Sequence, residues 1–280
     1  MNLKRLLPLL IVPLLLTACP SGANRTKNGP DLRNLPREIR SGEQGPFHVQ
    51  GIAVDLERGY IYFSFTTKLL KMDFEGNLIG SVDGMTGHLG CLTMNPADGR
   101  VYGDTLRTDN DYQVLLAYDT KGWKRFEQPL SQGSLHKSGP AAPDHKYFVR
   151  TGNTSWGIQN LAYDPASGNC YAAVYKGKKS QYPNYSLFVI DGGKPARREL
   201  LQGFDTPTEG EVLSLVPAGK SAGGIYGWDF KWGTTGLCPL GGGYFYISQN
   251  ARSKETKQQS STVRLYRWTG DADAPFRPVE

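Results

Sequence analysis

The stretch GIAVDLERGYIYFSFTTKLLKMDFEGN, residues 51–77, decides the fold. Its first apolar run ends at Asp55 and is followed by the pattern Gly-x-x-Tyr at residues 59–62. A later apolar run, residues 69–72, ends at Asp73, shortly before Gly76. Short runs rich in β-branched and aromatic residues, separated by glycine, are typical of antiparallel strands joined by tight turns. The stretch therefore predicts consecutive hairpin-connected strands.

The same pattern recurs three more times along the chain. The Gly-x-x-Tyr sequence returns at residues 99–102, 168–171 and 243–246, each time after an apolar run. A third run follows at residues 115–119, 187–191 and 263–268, and fourth strands are predicted at residues 77–82, 123–126 and 198–201. The repeated glycines, Gly59, Gly99, Gly168 and Gly243, are expected in turns that need a positive φ. Four short strands per repeat predict an all-β protein built as a β-propeller.

The spacing of the repeats sets the expected number of blades. The four glycines lie 40, 69 and 75 residues apart, whereas a blade takes roughly 40 to 50 residues. The two long intervals contain apolar runs at residues 146–150, 211–216 and 225–228, which are either degenerate blades or insertions. We predict six blades of four antiparallel strands, with five as the alternative. A β-sandwich also fits short strands at this spacing, but it does not explain the fourfold register.

The first residues of the chain are typical of a bacterial export signal. Lys4 and Arg5 precede an apolar run over residues 6–16, which is too short to span a bilayer. The sequence Leu-Thr-Ala-Cys at residues 16–19 resembles the lipobox of bacterial lipoproteins, in which the cysteine thiol is lipidated. The alternative is an ordinary signal peptide with a cysteine at its cleavage site by chance.

This resemblance predicts three segments of the chain and a cellular location. Residues 1–18 would be the signal peptide, residues 19–46 the lipidated Cys19 with a flexible tether, and residues 47–280 the propeller domain. Pro20 and Ser21 do not match the aspartate that retains some lipoproteins at the inner membrane. We therefore expect a membrane-anchored protein of the cell envelope, at the outer membrane facing the periplasm if the host is Gram-negative.

Charge and composition exclude nucleic acid as a partner. Of 32 basic and 26 acidic residues, two basic ones lie before Cys19, which leaves a net charge of about +4. The densest basic cluster, residues 176–179, is expected to be a solvated loop, and no recognition helix or zinc knuckle is present. Cys91, Cys170 and Cys238 lie in apolar runs and are expected to be buried, although one disulfide would be allowed in the periplasm.

The repeat unit, an apolar run with Asp or Asn, then Gly-x-x-Tyr, then a run ending in Asp before glycine, resembles the blades of NHL, YncE and SMP-30/gluconolactonase-like propellers. The resemblance covers most of residues 48–279 and implies a fold shared by binding proteins, lactonases and lyases. SMP-30-like lactonases hold calcium at the propeller mouth, so the resemblance makes Ca²⁺ the one cofactor to consider. Their acidic ligand has no residue-by-residue match here.

Two histidines precede predicted inner strands at equivalent positions. His48 and His88 each lie three residues before the first apolar residue of a blade. Together with Asn153, Asp229 or Glu211, they could ligate a metal or serve as a general base at the mouth. The alternative is that both imidazoles hydrogen-bond to backbone where each blade begins. A separate acidic loop contains Asp104, Asp109, Asn110 and Asp111. It could bind calcium, but it lacks EF-hand spacing, and the alternative is a solvated loop.

Aromatic residues suggest a ligand site of a different kind. Trp123, Trp156, Trp228, Trp232 and Tyr226 fall near predicted blade ends. Aromatic faces at a concave mouth stack on sugars, with Asn153 and Asn160 as hydrogen-bonding partners, whereas the alternative is core packing.

No serine elbow, Walker loop or Rossmann fingerprint occurs in the sequence. We therefore expect a binding protein for an envelope protein, small molecule or carbohydrate. The alternatives are a metal-dependent lactonase and a scaffold that exposes an apolar patch.

Overall fold

The computed structural model describes residues 31–84, 92–95, 100–104, 111–119, 121–126, 140–152 and 156–280. Strands dominate these residues, and two short 3₁₀ helices, Leu32–Asn34 and Trp123–Phe126, are the helical elements in this part of the chain. The all-β prediction is confirmed. None of the helices described is long or apolar enough to cross a membrane.

The quoted stretch and the residues that flank it form one four-stranded antiparallel sheet. Its strands, in order, are β2 (Val49–Asp55), β3 (Tyr60–Phe65), β4 (Lys68–Asp73) and β5 (Leu78–Val82), and each pairs with the next. In β3, alternate side chains are buried, as expected for a strand with one face on the core. Sequence and structure agree here strand by strand.

The repeated Asp and Gly form the turns that the pattern predicted. Between β2 and β3, the Asp55 carboxylate accepts a hydrogen bond from the backbone N–H of Arg58 at 3.0 Å, and Gly59 adopts a φ of 70°. The equivalent Gly168 and Gly243 have φ angles of 75° and 78°, which confirms the expected left-handed conformation at three repeats. Gly99 lies outside the described residues.

Three further sheets are each built around antiparallel strands that are consecutive in the chain. The second contains β6 (Leu92–Asn95), β7 (Arg100–Asp104), β8 (Tyr112–Asp119) and β9 (His145–Arg150). The third contains β10 (Ile158–Tyr163), β11 (Cys170–Val174) and β12 (Leu187–Ile190). The fourth is built on β17 (Leu237–Gly241), β18 (Tyr244–Arg252) and β19 (Gln259–Trp268).

Two predicted fourth strands are corrected by the structure. Residues 123–126 form a 3₁₀ helix, and β9 takes the fourth position beside β8. The strand predicted at residues 198–201 exists as β13 (Arg197–Leu200), but it pairs with β14 (Glu209–Leu213) and not with the third sheet. The reason is that β14 runs parallel to β9 and extends the second sheet to six strands.

The apolar runs in the two long intervals supply outer strands. β9 and β14 belong to the second sheet, and β15 (Lys220–Ala222) and β16 (Ile225–Gly227) form a separate hairpin. Isolated bridges from Leu187 to Trp228 and from Ile190 to Leu215 hold this region against the outer edge of β12. Among the described strands these runs add no inner strand, and the prediction of six or five blades is not confirmed.

Residues before Phe47 pair with the fourth sheet. Strand β1 (Glu38–Arg40) pairs with β19, and β20 (Phe276–Pro278) pairs with the next part of the same edge. Leu35 and Ile39 are buried in the core. Residues 35–40, assigned to the tether above, therefore complete the fourth sheet, because that edge would otherwise leave backbone groups of β19 unpaired.

Shared hydrophobic cores place the sheets in an order. One core joins the first sheet to the fourth through Ile61, Phe63 and Tyr246, and another joins the fourth to the third through Phe245 and Tyr171. A third core joins the third sheet to β8 and β9 of the second. Strand β10 contacts both β6 and β17, and β17 contacts β2.

No disulfide joins the two cysteines in the described part of the domain. Cys170 and Cys238 are partly buried and pack against the hydrophobic cores. The prediction that they are buried is therefore confirmed in part. Cys91 lies outside the described residues.

Candidate functional site

The strands that begin three of the sheets meet at one buried amide. Asn160, on β10, has an exposed fraction of 1%. Its Nδ2 donates to the backbone oxygen of Gln50 on β2 and to that of Thr234, just before β17, both at 3.0 Å. We call this arrangement the Asn160 junction. Both amide hydrogens of Asn160 therefore have backbone partners, so its amide nitrogen could donate to a ligand, as the sequence predicted, only if one of these bonds were broken.

His48 lies close to the Asn160 junction. Its Nε2 is 3.1 Å from Nε2 of Gln50, whose amide also donates to Oγ1 of Thr66 at 3.0 Å. An amide nitrogen is a donor only, so in this arrangement Gln50 donates and Nε2 of His48 accepts. A metal at Nε2 would have to displace Gln50.

Asp229 lines a cleft and is surrounded by ammonium groups. Its Oδ1 lies 2.7 Å from Nζ of Lys176, and its Oδ2 lies 3.7 Å from Nζ of Lys220. The hydrogen bond with Asp273, together with the charges of both carboxylates, raises the pKa of Lys220. The basic loop at residues 176–179 is therefore tied by ion pairs at both ends, since Lys179 pairs with Asp111.

The cleft around Asp229 has a volume of about 560 Å³. Its walls come from the end of β11, from the residue before β12 and from the segment that leads into β17. The lining residues are Val174, Tyr175, Lys176, Ser186, Asp229, Phe230, Lys231 and Thr234. Because Ile158 of β10 lies opposite Val174 of β11, the cleft opens at the end of the sheet where β10 begins. We call it the Asp229 cleft.

Hydrogen bonds hold the walls of the Asp229 cleft in place. The hydroxyl of Ser186 donates to the backbone oxygen of Phe230 and accepts from its N–H, both at 2.8 Å. Thr234 lines the cleft and also accepts a hydrogen bond in the Asn160 junction. The cleft wall is therefore connected through Asn160 to the strand that follows His48.

The aromatic residues proposed for the mouth separate into different environments. Trp228 is fully buried, and Trp232 is half-buried beside the same core, with Nζ of Lys231 4.4 Å from its ring centroid. Core packing thus accounts for Trp228. Trp156 is 58% exposed, and its backbone oxygen accepts from Gln113 at 3.4 Å. Tyr226 lines a different cleft.

Part of the predicted site cannot be placed. Cys19, His88 and Asn153 lie outside the described residues, as does the side chain of Trp123. Glu211 does not join His48, because its Oε2 lies 3.0 Å from Nδ1 of His145. Within the described ranges, no group of three or more His, Cys, Asp or Glu side chains could hold a metal ion. A metal or Ca²⁺ site that uses His48 and His88 stays a prediction.

Sequence reasoning named Asp229 but missed most of its neighbours. Tyr175, Lys176 and Ser186 come from the segment between β11 and β12, more than 40 residues away along the chain. The one signal in the sequence was the cluster of lysine and tyrosine at residues 175–179. The pairing of β11 with β12, together with the bridge from Leu187 to Trp228, brings that segment to Asp229.

Comparisons with known proteins add no family assignment. No protein-family model and no curated protein matches the chain. Solved structures to which it is similar include the β-propeller domain of Cps50 (Swd1) from Myceliophteria thermophila, at 10% identity and a TM-score of 0.26, over 77% of this chain and 54% of that one. The chain thus spans about half the length of that structure.

Two further similar structures are the RRP9 WD40 repeats and the hydrazine synthase of Kuenenia stuttgartiensis. The first has 7% identity and a TM-score of 0.32 over 82% of this chain and 97% of that one. The second has 12% identity and a TM-score of 0.30 over 86% and 51%. Such low TM-scores carry no argument about fold or function, so the proposals below rest on this chain's own residues.

Proposed function

We propose that this protein is a lipid-anchored β-propeller of the bacterial cell envelope that binds a carbohydrate in the Asp229 cleft without chemical conversion. The observation that carries the proposal is the cleft itself, in which Tyr175 and Phe230 lie beside the charged groups of Lys176 and Asp229. Its volume of about 560 Å³ lies within the roughly 300 to 1,000 Å³ that is usual for small-ligand sites.

The propeller in this proposal is supported by sheet order. Four successive antiparallel units share cores in the order first, fourth, third, second, and β2, β6, β10 and β17 would be their inner strands. Strands β1 and β20, from opposite ends of the domain, both pair with β19, which is how a propeller joins its first and last blades. We propose one blade for each of these four inner strands in the described part of the chain.

The chemistry of the cleft suits a sugar. Tyr175 is 40% exposed, so part of its ring is free to stack on the apolar face of a pyranose. Asp229 offers carboxylate oxygens as acceptors, and Lys176 offers ammonium protons as donors, the groups that sugar hydroxyls need. These two residues pair with each other at the cleft surface, and exposed pairs of this kind are weak enough for sugar hydroxyls to compete with.

Direct binding tests this proposal. We would titrate purified protein with soluble N-acetylglucosamine oligomers and peptidoglycan fragments by calorimetry. Saturable binding is expected, and Asp229→Asn or Tyr175→Ala should weaken it at least fivefold. Asp205→Asn, on an exposed aspartate that does not line the cleft, is the matched control and should bind like wild type. A chelator should not change the affinity, which separates this proposal from the lactonase alternative. Binding that neither cleft variant weakens would refute the site.

The lipid anchor and the cellular location form a separate part of the proposal. The sequence at residues 16–19 supports lipidation of Cys19, with the domain held at the outer membrane facing the periplasm in a Gram-negative host. Metabolic labelling with an alkyne fatty acid should mark the wild-type protein. The Cys19→Ala variant should lose both the label and the membrane fraction. Equal labelling of both proteins would contradict lipidation at Cys19.

One observation favours a protein partner as a second candidate. Strand β5 is the last strand of its sheet, and Leu78, Ile79 and Val82 on it are 58%, 49% and 52% exposed. Exposed apolar edge strands readily pair with another chain. A photo-crosslinker at residue 79 should then give one discrete adduct in intact cells, and the substitutions Leu78→Ser and Val82→Ser should remove it. A crosslinker at the exposed Leu200 provides the control.

A further inference from the structure

A second cleft lies where β9, β13 and β14 meet, and it has no lining residue in common with the Asp229 cleft. Its volume is about 300 Å³. The lining residues are Arg150, Lys194, Arg197, Val212, Leu213, Ser214, Leu215, Pro217, Gly224 and Tyr226. Three of them are cations, and none is a carboxylate. We call it the Arg150 cleft.

Strand pairing puts the two arginines on one face of the sheet. Arg197 lies directly opposite Val212, and Val212 lies in register with Phe148. Residues in register share a face, and Arg150 follows Phe148 by two positions on the same strand, so it shares that face too. One strand, β14, separates the strands of Arg150 and Arg197, so these two strands lie roughly 10 Å apart. Long side chains that extend from both strands can bridge this distance.

The cations are available to a ligand. Lys194 pairs with Asp191 and Arg197 with Glu199, both at 3.1 Å, and both cations are more than half exposed. Exposed pairs of this kind are weak and exchange readily with a stronger anion. For Arg150, no ion pair with another described residue is observed. The hydroxyls of Ser214 and Tyr226 add neutral donors to the same walls.

We propose that the Arg150 cleft binds a phosphate group. Guanidinium forks match the oxygens of a phosphate in pairs, and Lys194 adds a third positive charge beside a ligand charge near −2. A carboxylate would leave one of these cations without a partner. The small volume fits one phosphate with its substituent and not a folded polyanion. This inference does not depend on carbohydrate binding in the Asp229 cleft.

The test is calorimetric titration of the full chain with inorganic phosphate at constant ionic strength, with chloride as the reference anion. Saturable binding of phosphate is expected. The double variant Arg150→Gln/Arg197→Gln should weaken it roughly tenfold or more, because two charge-assisted contacts are lost. The matched control Arg252→Gln/Arg277→Gln removes the same charge from exposed arginines elsewhere and should change the affinity less than twofold.

Two further experiments test the role of the guanidinium geometry and the source of the phosphate group. Arg150→Lys keeps the charge and loses the fork, so it should still weaken phosphate binding, and it serves if the double variant does not fold. Vesicles containing phosphatidylglycerol distinguish a lipid headgroup from a soluble phosphate compound. If the protein sediments with the vesicles and inorganic phosphate releases it, the ligand is the headgroup. If the protein binds phosphate but does not sediment with the vesicles, the ligand is a soluble phosphate. Absence of saturable binding, or equal weakening by the control pair, overturns the proposal.

Discussion

The side-chain nitrogen of Asn160 donates to the backbone oxygen of Thr234 at 3.0 Å, across 74 residues of sequence. Its second proton goes to Gln50 on another sheet, also at 3.0 Å. Because Thr234 lines the Asp229 cleft, one buried amide ties a cleft wall to two inner strands. Stability and ligand binding should therefore respond together when this residue is changed.

We predict that Asn160→Ala lowers the free energy of unfolding by about 1–3 kcal/mol, because two buried carbonyl oxygens lose their donor. Asn160→Asp keeps the shape but turns a donor into an acceptor facing those oxygens, so it should cost at least as much at neutral pH. Urea denaturation measures both. The exposed Asn34→Ala is the control and should change stability by less than about 0.5 kcal/mol. An unchanged midpoint for Asn160→Ala would contradict the junction.

Gly219 gives a prediction with a closely matched control. Gly219 and Gly122 both have a φ of 78°, so alanine costs about 1–2 kcal/mol of backbone strain at either position. At Gly219, however, a Cβ would lie 2.3 Å from Cε2 of the buried Trp228, whereas at Gly122 it would meet nothing within 4 Å. Gly219→Ala should therefore lower the melting temperature well beyond Gly122→Ala. Equal shifts would mean that Trp228 is not packed against this turn.

The first strand offers a test of the domain boundary. Ile39→Ala should cost about 2–5 kcal/mol because Ile39 is buried in the core shared with β19. Leu200→Ala, at a residue 64% exposed, should have little effect. A chain that starts at residue 31 should melt cooperatively, and one that starts at residue 47 should melt at a lower temperature. Equal melting of the two truncated chains would support the later boundary.

Asp73 predicts a pH effect in the turn between β4 and β5. Hydrogen bonds from the side chain and the backbone N–H of Asn77 lower the pKa of Asp73 below its ordinary 3.8. Its ionised form therefore stabilises the fold above the ordinary pKa, and this contribution is lost as the pH falls through the lower folded-state pKa. Asn77→Ala should raise the pKa of Asp73 in an NMR titration.

The Asp73 titration has an internal control. Backbone N–H groups of Asp273 and Ala274 lower the pKa of Asp271, and no contact links Asp271 to Asn77. Its titration should be the same in both proteins. A pKa of Asp73 that does not move in Asn77→Ala would show that the backbone N–H alone holds the carboxylate.

The repeat read from the sequence was correct where interactions are local. The Asp and Gly of each turn act within a few residues, so Asp55 with Gly59 could be recognised from their order alone. Asp229 was named as a site residue because its carboxylate could join His48 and His88 in holding a metal or acting as a general base. Its partner Lys176 was not, because an ion pair between residues 53 apart leaves no periodic signal.

The sequence by itself determined that this chain forms short antiparallel strands, since alternation of side chains and turn chemistry are local properties. Only the tertiary structure decided which sheet each outer strand joins. Backbone hydrogen bonds do not depend on side-chain identity, so the parallel pairing of β9 with β14 and the edge of β19 shared by β1 and β20 could not be read from spacing. The Arg150 cleft depends on the pairing of β9 with β14, and the Asp229 cleft depends on the pairing of β11 with β12 and on the bridge from Leu187 to Trp228. The walls of both clefts come from segments that are distant in sequence and adjacent only after folding.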